Sequence, residues 1–400
     1  MKAPLIVVSV TAIALLVTVS APAEEFKLEY RSSDNPQSAG IITSSKATTP
    51  LPKLPDGVSL PENAGVEPVF AKWQTPLAKE GFVYLAAAKS SETSGYDKVF
   101  VDADCDGNLP DESPLSPTDR AGVFGPVEVV FPRHDVPLRY RIKVAIHSVE
   151  FFGRGTHSDT SLNVEPACWY EGNVTLDGKE YRVALVDGTA DGSFDDTSMD
   201  LSKVDYIAVG DKGSKVLDHR CMGKYIQMGG KIYRPRPPRF GGSIDFAPAE
   251  PFATGVVRAT HEATSLTLAG ENGELSFDLV NGKAHFPVGK WIPKSWSLKR
   301  RDADGVPWTL DGQGFPAKAV FEVAAGTEAV LDIGEPVNAR VAWAGYFDGE
   351  EQKPVFAFTM GGRLGEVIHV TRNGARPPAP ILRIRSADGA FDESVAFEYG

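Results

Sequence analysis

Two segments of 12 residues hold the most concentrated coordination chemistry in this 400-residue chain. Residues 102–113 read DADCDGNLPDES, and residues 187–198 read DGTADGSFDDTS. Both have Asp at positions one and five, Gly at six, an apolar residue at eight, acids near ten and Ser at twelve. Calcium chemistry accounts for this pattern. The ion takes roughly six to eight hard oxygens at about 2.3–2.6 Å, and carboxylates at alternate positions of a tight loop converge on one point. In the first segment Asp102, Asp104 and Asp106 supply the early ligands, Asn108 a backbone carbonyl, and Asp111 or Glu112 the closing carboxylate. In the second the same places fall to Asp187, Thr189, Asp191, Ser193 and either Asp195 or Asp196. Gly107 and Gly192 permit the bend, while Leu109 and Phe194 anchor each loop in the core. Asx-turns alone enrich Asp in loops. Five acids between Asp102 and Glu112 exceed that need and would repel one another without a cation. The first loop should bind more tightly, because Thr189 replaces an acid in the second and Pro110 stiffens the first.

The D-x-[DNT]-x-D-G core resembles the calcium loop of EF-hands, dockerins and thrombospondin type 3 repeats. The resemblance covers only the two 12-residue segments. It implies Ca²⁺ as the cofactor but not the EF-hand fold. Ser113 and Ser198 stand where an EF-hand has its bidentate Glu, and the strand-like runs KVFV and YRVALV precede the loops instead of helices. The succession of strand, loop and acidic pair is also similar to a broad set of secreted bacterial proteins with no assigned activity. Weaker echoes lie at 302–305 and 387–393, and the second reads as a hairpin turn.

The elements that must position these loops are strands. Leu138, Tyr140, Ile142, Val144 and Ile146 alternate with Arg139, Arg141, Lys143, Ala145 and His147, the period of a half-buried strand. Further runs of this kind include 98–101, 126–131, 181–186, 205–209, 265–270, 274–279, 319–324, 339–343, 355–360 and 366–371. Nine Asp-Gly and three Asn-Gly dipeptides lie among them and supply the positive φ of hairpin turns. The spacing predicts an all-β chain of two or three antiparallel sandwich or barrel-like domains, with helix confined to a turn or two near residues 75–80. Both strands that feed the loops are expected to be central in their domain. The organisation expected is a signal peptide at 1–23, an extended or poorly ordered lead-in at 24–65, a β domain carrying both loops at 66–233, a stiff Pro/Arg linker at 234–241, a second β domain at 242–325 and a small sandwich at 326–400. The last two could be one.

Residues 1–23 have the layout of a secretory signal: Lys2, an apolar run from Leu5 to Val19, then Ala21-Pro22-Ala23. The run is short for a membrane span, which needs about 20 residues. The mature protein is therefore expected to be secreted or periplasmic, with no span after cleavage. A formal net charge of −12 argues against nucleic acid and for cations. With three Cys, one bridge is possible, and Cys168–Cys221 is expected, leaving Cys105 as the odd thiol.

No catalytic set can be nominated. VFVDAD resembles the start of a haloacid-dehalogenase phosphatase motif, but Asp106 replaces the expected Thr or Val and the βα pattern is missing. Trp291, Trp296 and Trp308 could form a sugar-stacking platform, although core packing suits them better. These observations point to a non-catalytic, calcium-stabilised binding, adhesion or scaffold protein with a protein or glycan ligand. The alternative is a secreted carbohydrate-active protein, a glycoside hydrolase or a carbohydrate-binding module.

Overall fold

A computed structural model describes residues 24–132, 137–151, 157–249, 252–316, 319–348 and 351–398. The expected signal peptide lies outside the described residues. The all-β expectation holds: the described residues are built from strands in several mainly antiparallel sheets, with a single 3-10 turn at Pro36–Ala39. The helix expected near 75–80 is instead a tight connection between the strands Val66–Gln74 and Phe82–Lys89. There Thr75 donates its N–H to the Gly81 carbonyl, and Gly81 adopts a φ of 78° that closes the hairpin.

Residues 24–51, apart from the 3-10 turn, lace four sheets together. Glu24–Lys27 pairs with Ser243–Pro248, Glu29–Ser32 with Cys168–Leu176, Lys46–Ala47 with His157–Pro166, and Thr49–Leu51 with Val66–Gln74. The lead-in is held by burial as well as by pairing, for Leu28, Ile41 and Ala64 are all in the core.

Two large apolar cores result. The first joins Trp73, Phe131, Tyr140, Phe194 and Phe246, and the second joins Phe286, Trp291, Trp296 and Leu298. They share a wall. Period-two alternation along Tyr225–Met228 hands Tyr225 to the second core and Ile226 and Met228 to the first. This arrangement corrects the expected linker, because Lys231–Arg236 is a strand of the wall and pairs with Ser243–Pro248. Beyond Tyr233 that strand pairs on one side only, so Pro235 is accommodated without breaking the ladder. Toward the C-terminus, Glu328–Leu331 pairs with Thr254–Ala259 and Val367–Arg372 with Pro307–Gln313, so residues on both sides of 325 contribute to the second core.

The strands that feed the loops differ in position. Lys179–Val186 is flanked on both sides in its five-stranded sheet, as expected. Tyr96–Val101 forms the edge of a four-stranded sheet, yet Val99, Phe100 and Val101 are all buried.

The expected Cys168–Cys221 bridge is absent, and all three cysteines are free thiols. Cys168 and Cys221 lie on strands of one sheet with two other strands between them. Three strand spacings amount to about 14 Å, well beyond the roughly 7 Å Cα limit of a disulfide.

One polar hub fastens the lead-in to the five-stranded sheet. Arg182 forks onto Glu171 at 2.6 and 3.0 Å and also donates to the carbonyls of Ser214 and Ala39. Burial opposes ionisation of Glu171, but the hydrogen bonds from Arg182 and Trp169 outweigh it and hold the carboxyl below its usual 4.5. A depressed folded-state value stabilises the protein above the unfolded-state value, and that stability is lost as pH falls through the folded one. Arg182→Met should therefore cost about 3 kcal/mol at neutral pH, the usual penalty for breaking a shielded pair. The gap between wild type and mutant in urea melts should narrow as pH falls below 4.5. A gap that is constant with pH would show that the guanidinium acts by packing alone.

Candidate metal centre

The first loop is clamped between two sheets. The strand Tyr96–Val101 delivers Asp102, whose N–H donates to the Tyr84 carbonyl, while Val130 donates to the Ala103 carbonyl at 2.7 Å. Leu109 is fully buried with Phe100, Tyr84 and Ala86 in a small core under the loop, the anchoring role expected of it. Cys105 at φ 61° and Gly107 at φ 90° make the sharp bend.

Within the bend the backbone amides turn toward the carboxylates. Asp102 accepts from the N–H groups of Asp106 and Gly107 at 3.1 and 3.2 Å. Asp104 accepts from Asp106 at 3.2 Å, Asp106 from Asn108 at 2.7 Å, and Glu112 from Ala103 at 2.6 Å. One carboxylate oxygen each of Asp102, Asp104 and Asp106 lies within 4.8 Å of the other two, so this group could hold a metal ion. Asp102 is buried, and Asp104 and Asp106 are exposed. Burial lifts the Asp102 carboxyl to about 7, and the charges of Asp106 and Asp104 add to the lift. Glu112 is also raised, again chiefly by burial. A bound cation reverses this logic, because it favours the ionised form of every carboxylate around it. Asp111 is exposed and is not one of the three converging carboxylates. Cys105, half-buried in the same loop, has its thiol pushed up to about 12 by burial and by Asp102, so it is a neutral thiol at physiological pH.

The second loop has the same bend, at Ala190 with φ 53° and Gly192 with φ 88°, and Phe194 is buried as expected. Its first Asp plays a different part. Asp187 is fully buried and turned into the core. One of its oxygens accepts from the N–H groups of Thr189 and Ala190 at 2.9 and 2.5 Å and from the Thr189 hydroxyl at 3.2 Å. The other accepts from the Tyr140 hydroxyl and the Gly192 N–H, both at 2.6 Å. Asp191 accepts from the N–H and hydroxyl of Ser193 at 2.8 and 2.6 Å, and Asp196 accepts from the Thr189 and Ser193 hydroxyls, each at 3.0 Å. Asp195 is exposed. Among the described residues, a convergence of three acidic side chains on one point occurs at the first loop and not at the second. Two things differ: Thr189 stands where the first loop has Asp104, and Asp187 is fully buried with both oxygens hydrogen-bonded within the fold.

Asp205 belongs to this assembly and was not expected there. It is fully buried and accepts from the N–H groups of Gly188 and Asp196 at 3.0 and 2.8 Å, closing the second loop from below. Burial raises both Asp205 and Asp187; for Asp205 the neighbouring Asp187 charge adds to the effect. Asp205 stands at the head of the run DYIAV, nine residues beyond Asp196. An acid opening a strand just past an acidic loop was the one sign available.

The other candidates are structural. Trp291 and Trp296 are fully buried, each donating its indole N–H inside the second core, to the Pro287 carbonyl and to the buried Glu366. Trp308 donates to Asp302 at 2.9 Å with Arg372 against its ring. The three do not form a sugar platform. Asp302 also accepts from Asp304 and Val306 within a turn, and residues 386–391 connect the hairpin strands Ile381–Arg385 and Asp392–Ala396. A polar cleft of about 660 Å³ lies between residues 34–45 and 117–126, lined in part by Arg120, Lys143 and Glu165, and shares no residue with either loop. Among the described residues no helix is long and apolar enough to cross a membrane.

Comparison with protein-family models, with curated proteins and with solved structures returns no match for this chain.

If Asp187 is a structural anchor, removing its best side-chain donor should loosen the first core. Tyr140→Phe should cost about 2 kcal/mol, as expected when a buried acceptor loses its donor. Urea titration followed by tryptophan fluorescence measures this, and an unchanged midpoint would mean that Asp187 does not depend on the phenol.

Proposed function

We propose that this chain is an exported, calcium-stabilised binding, adhesion or scaffold protein without catalytic activity. The observation that carries the proposal is the convergence of Asp102, Asp104 and Asp106 on a loop whose base is locked into the core by Asp102 and Leu109. Three hard oxygens at alternate positions suit Ca²⁺ better than a softer metal. Asn108 through its carbonyl and Asp111 or Glu112 would complete the shell. The formal charge of −12 is in keeping with cation binding. The loop resembles those of EF-hands, dockerins and thrombospondin type 3 repeats in ligand order only. In the second loop, Thr189, Asp191, Ser193, Asp195 and Asp196 are the candidate ligands for a weaker ion, with Asp187 and Asp205 holding the frame. The ligand class we assign is a protein or a glycan, and export to the periplasm or the exterior is part of the same proposal. The alternative, a carbohydrate-active enzyme or binding module, loses its aromatic platform with the burial of Trp291 and Trp296.

Thermal melts of residues 24–400 test the proposal. Calcium at about a hundredfold excess over its dissociation constant should add about 2.7 kcal/mol relative to chelator. Asp104→Asn should abolish most of that gain, and Asp191→Asn should leave the larger part. Identical melting with calcium and chelator, together with no calcium by elemental analysis of the desalted protein, would refute the metal assignment. If Asp191→Asn removed the tighter site, the ranking of the loops would be wrong.

A further inference from the structure

Exposed apolar side chains are concentrated near the C-terminal end of the chain, where Val341, Trp343, Val367, Ile381, Phe391 and Val395 are all open to solvent. Two of these, Val341 and Trp343, lie on the strand Asn338–Asp348, which closes one edge of the longest sheet. Its partner on the inner side is Glu351–Gly361, and among the described residues no strand pairs with its outer side.

The two edges of that sheet contrast. Glu24–Lys27, at the far end, has four residues and carries Glu24, Glu25 and Lys27. Short length and charge are the devices by which proteins blunt an edge. The strand Asn338–Asp348 has 11 residues, and between Asn338 and Trp343 it has one charge, Arg340, and no proline. Its exposed N–H and C=O groups specify a β-strand as the occupant, not a sugar or a lipid.

Side-chain size and charge fit the same strand from a second copy. Cross-strand pairing places Ala339, Val341 and Trp343 on the face shared with Met360, Phe358 and Phe356. An antiparallel pairing of two copies about Val341 sets Val341 against its counterpart and each Trp343 against an Ala339, ring over methyl. Arg340 falls opposite Ala342, so no like charges meet. A twofold axis normal to the sheet keeps both apolar faces on one side and joins them into a continuous surface. We propose that this chain forms a twofold dimer by antiparallel pairing of the strand Asn338–Asp348 with its copy, with Val341 at the axis.

Sedimentation of residues 24–400 between about 1 and 100 µM tests this, with a dimer mass expected at the upper end. Val341→Lys places two ammonium groups opposite each other at the axis, where like charges destabilise pairing. Because Val341 is about half exposed (48%), the variant should fold and melt as the wild-type monomer does. Its dimer dissociation constant should rise at least tenfold. Val341→Cys should give a symmetric cross-link under mild oxidation, identified by peptide mass. A protein that stays monomeric throughout the range, or a dimer unaffected by Val341→Lys and not cross-linked through Val341→Cys, would overturn the proposal.

Discussion

The first half of this molecule is organised around a carboxylate that water does not reach. Asp187 is buried and, among the described residues, has no cationic partner within hydrogen-bonding reach, a costly arrangement unless every lone pair is used. The fold uses them. Tyr140 comes from one sheet, the amides of Ala190 and Gly192 from the bend of the loop itself, and Trp73 from a third segment grips the carbonyl of Ala190 at 2.6 Å. These donors fix the positions of Phe194 and Tyr140, which pack edge to face in the same core. Deleting the phenol or an amide leaves an oxygen of Asp187 unsatisfied in a low-dielectric interior, and deleting the indole leaves the Ala190 carbonyl unsatisfied, so the bend, the phenol and the indole support one another.

The two loops show how one sequence pattern serves two physical ends. Both have an Asp at the start and a Gly at the sixth place. In the first, Asp102 is buried, and Asp104 and Asp106 are exposed, where the three could hold an ion. In the second, the starting Asp faces a core that already holds Tyr140, so its oxygens satisfy the protein instead. Thr189 in place of an acid is written in the local sequence; what lies beneath each loop is not.

This marks the limit of what could be read from the chain. The strands were legible because alternation is a local property: Leu138 to Ile146 shows the pleat directly. The apolar anchors Leu109 and Phe194 were legible from their place at position eight of each loop. The role of Asp205 was not, because its partners Gly188 and Asp196 are brought to it by tertiary folding. Pro235, Pro237 and Pro238 suggested a linker because consecutive prolines favour an extended polyproline conformation, yet the strand Lys231–Arg236 runs through Pro235, which one-sided pairing accommodates. The cysteine pairing failed on a distance set by strand order, which alternation does not encode.

The lacing segment also imposes an order on assembly. Read from its C-terminal end backward, it pairs with residues 70–72, then 163–164, then 168–171, then 243–246. Each successive strand toward the N-terminus waits for a partner farther along the chain. A polypeptide emerging from a ribosome or a translocation pore would thus close like a zip run in reverse. Its earliest residues would be the last to find their places, and the first sheet could be complete while the beginning of the chain still hung free.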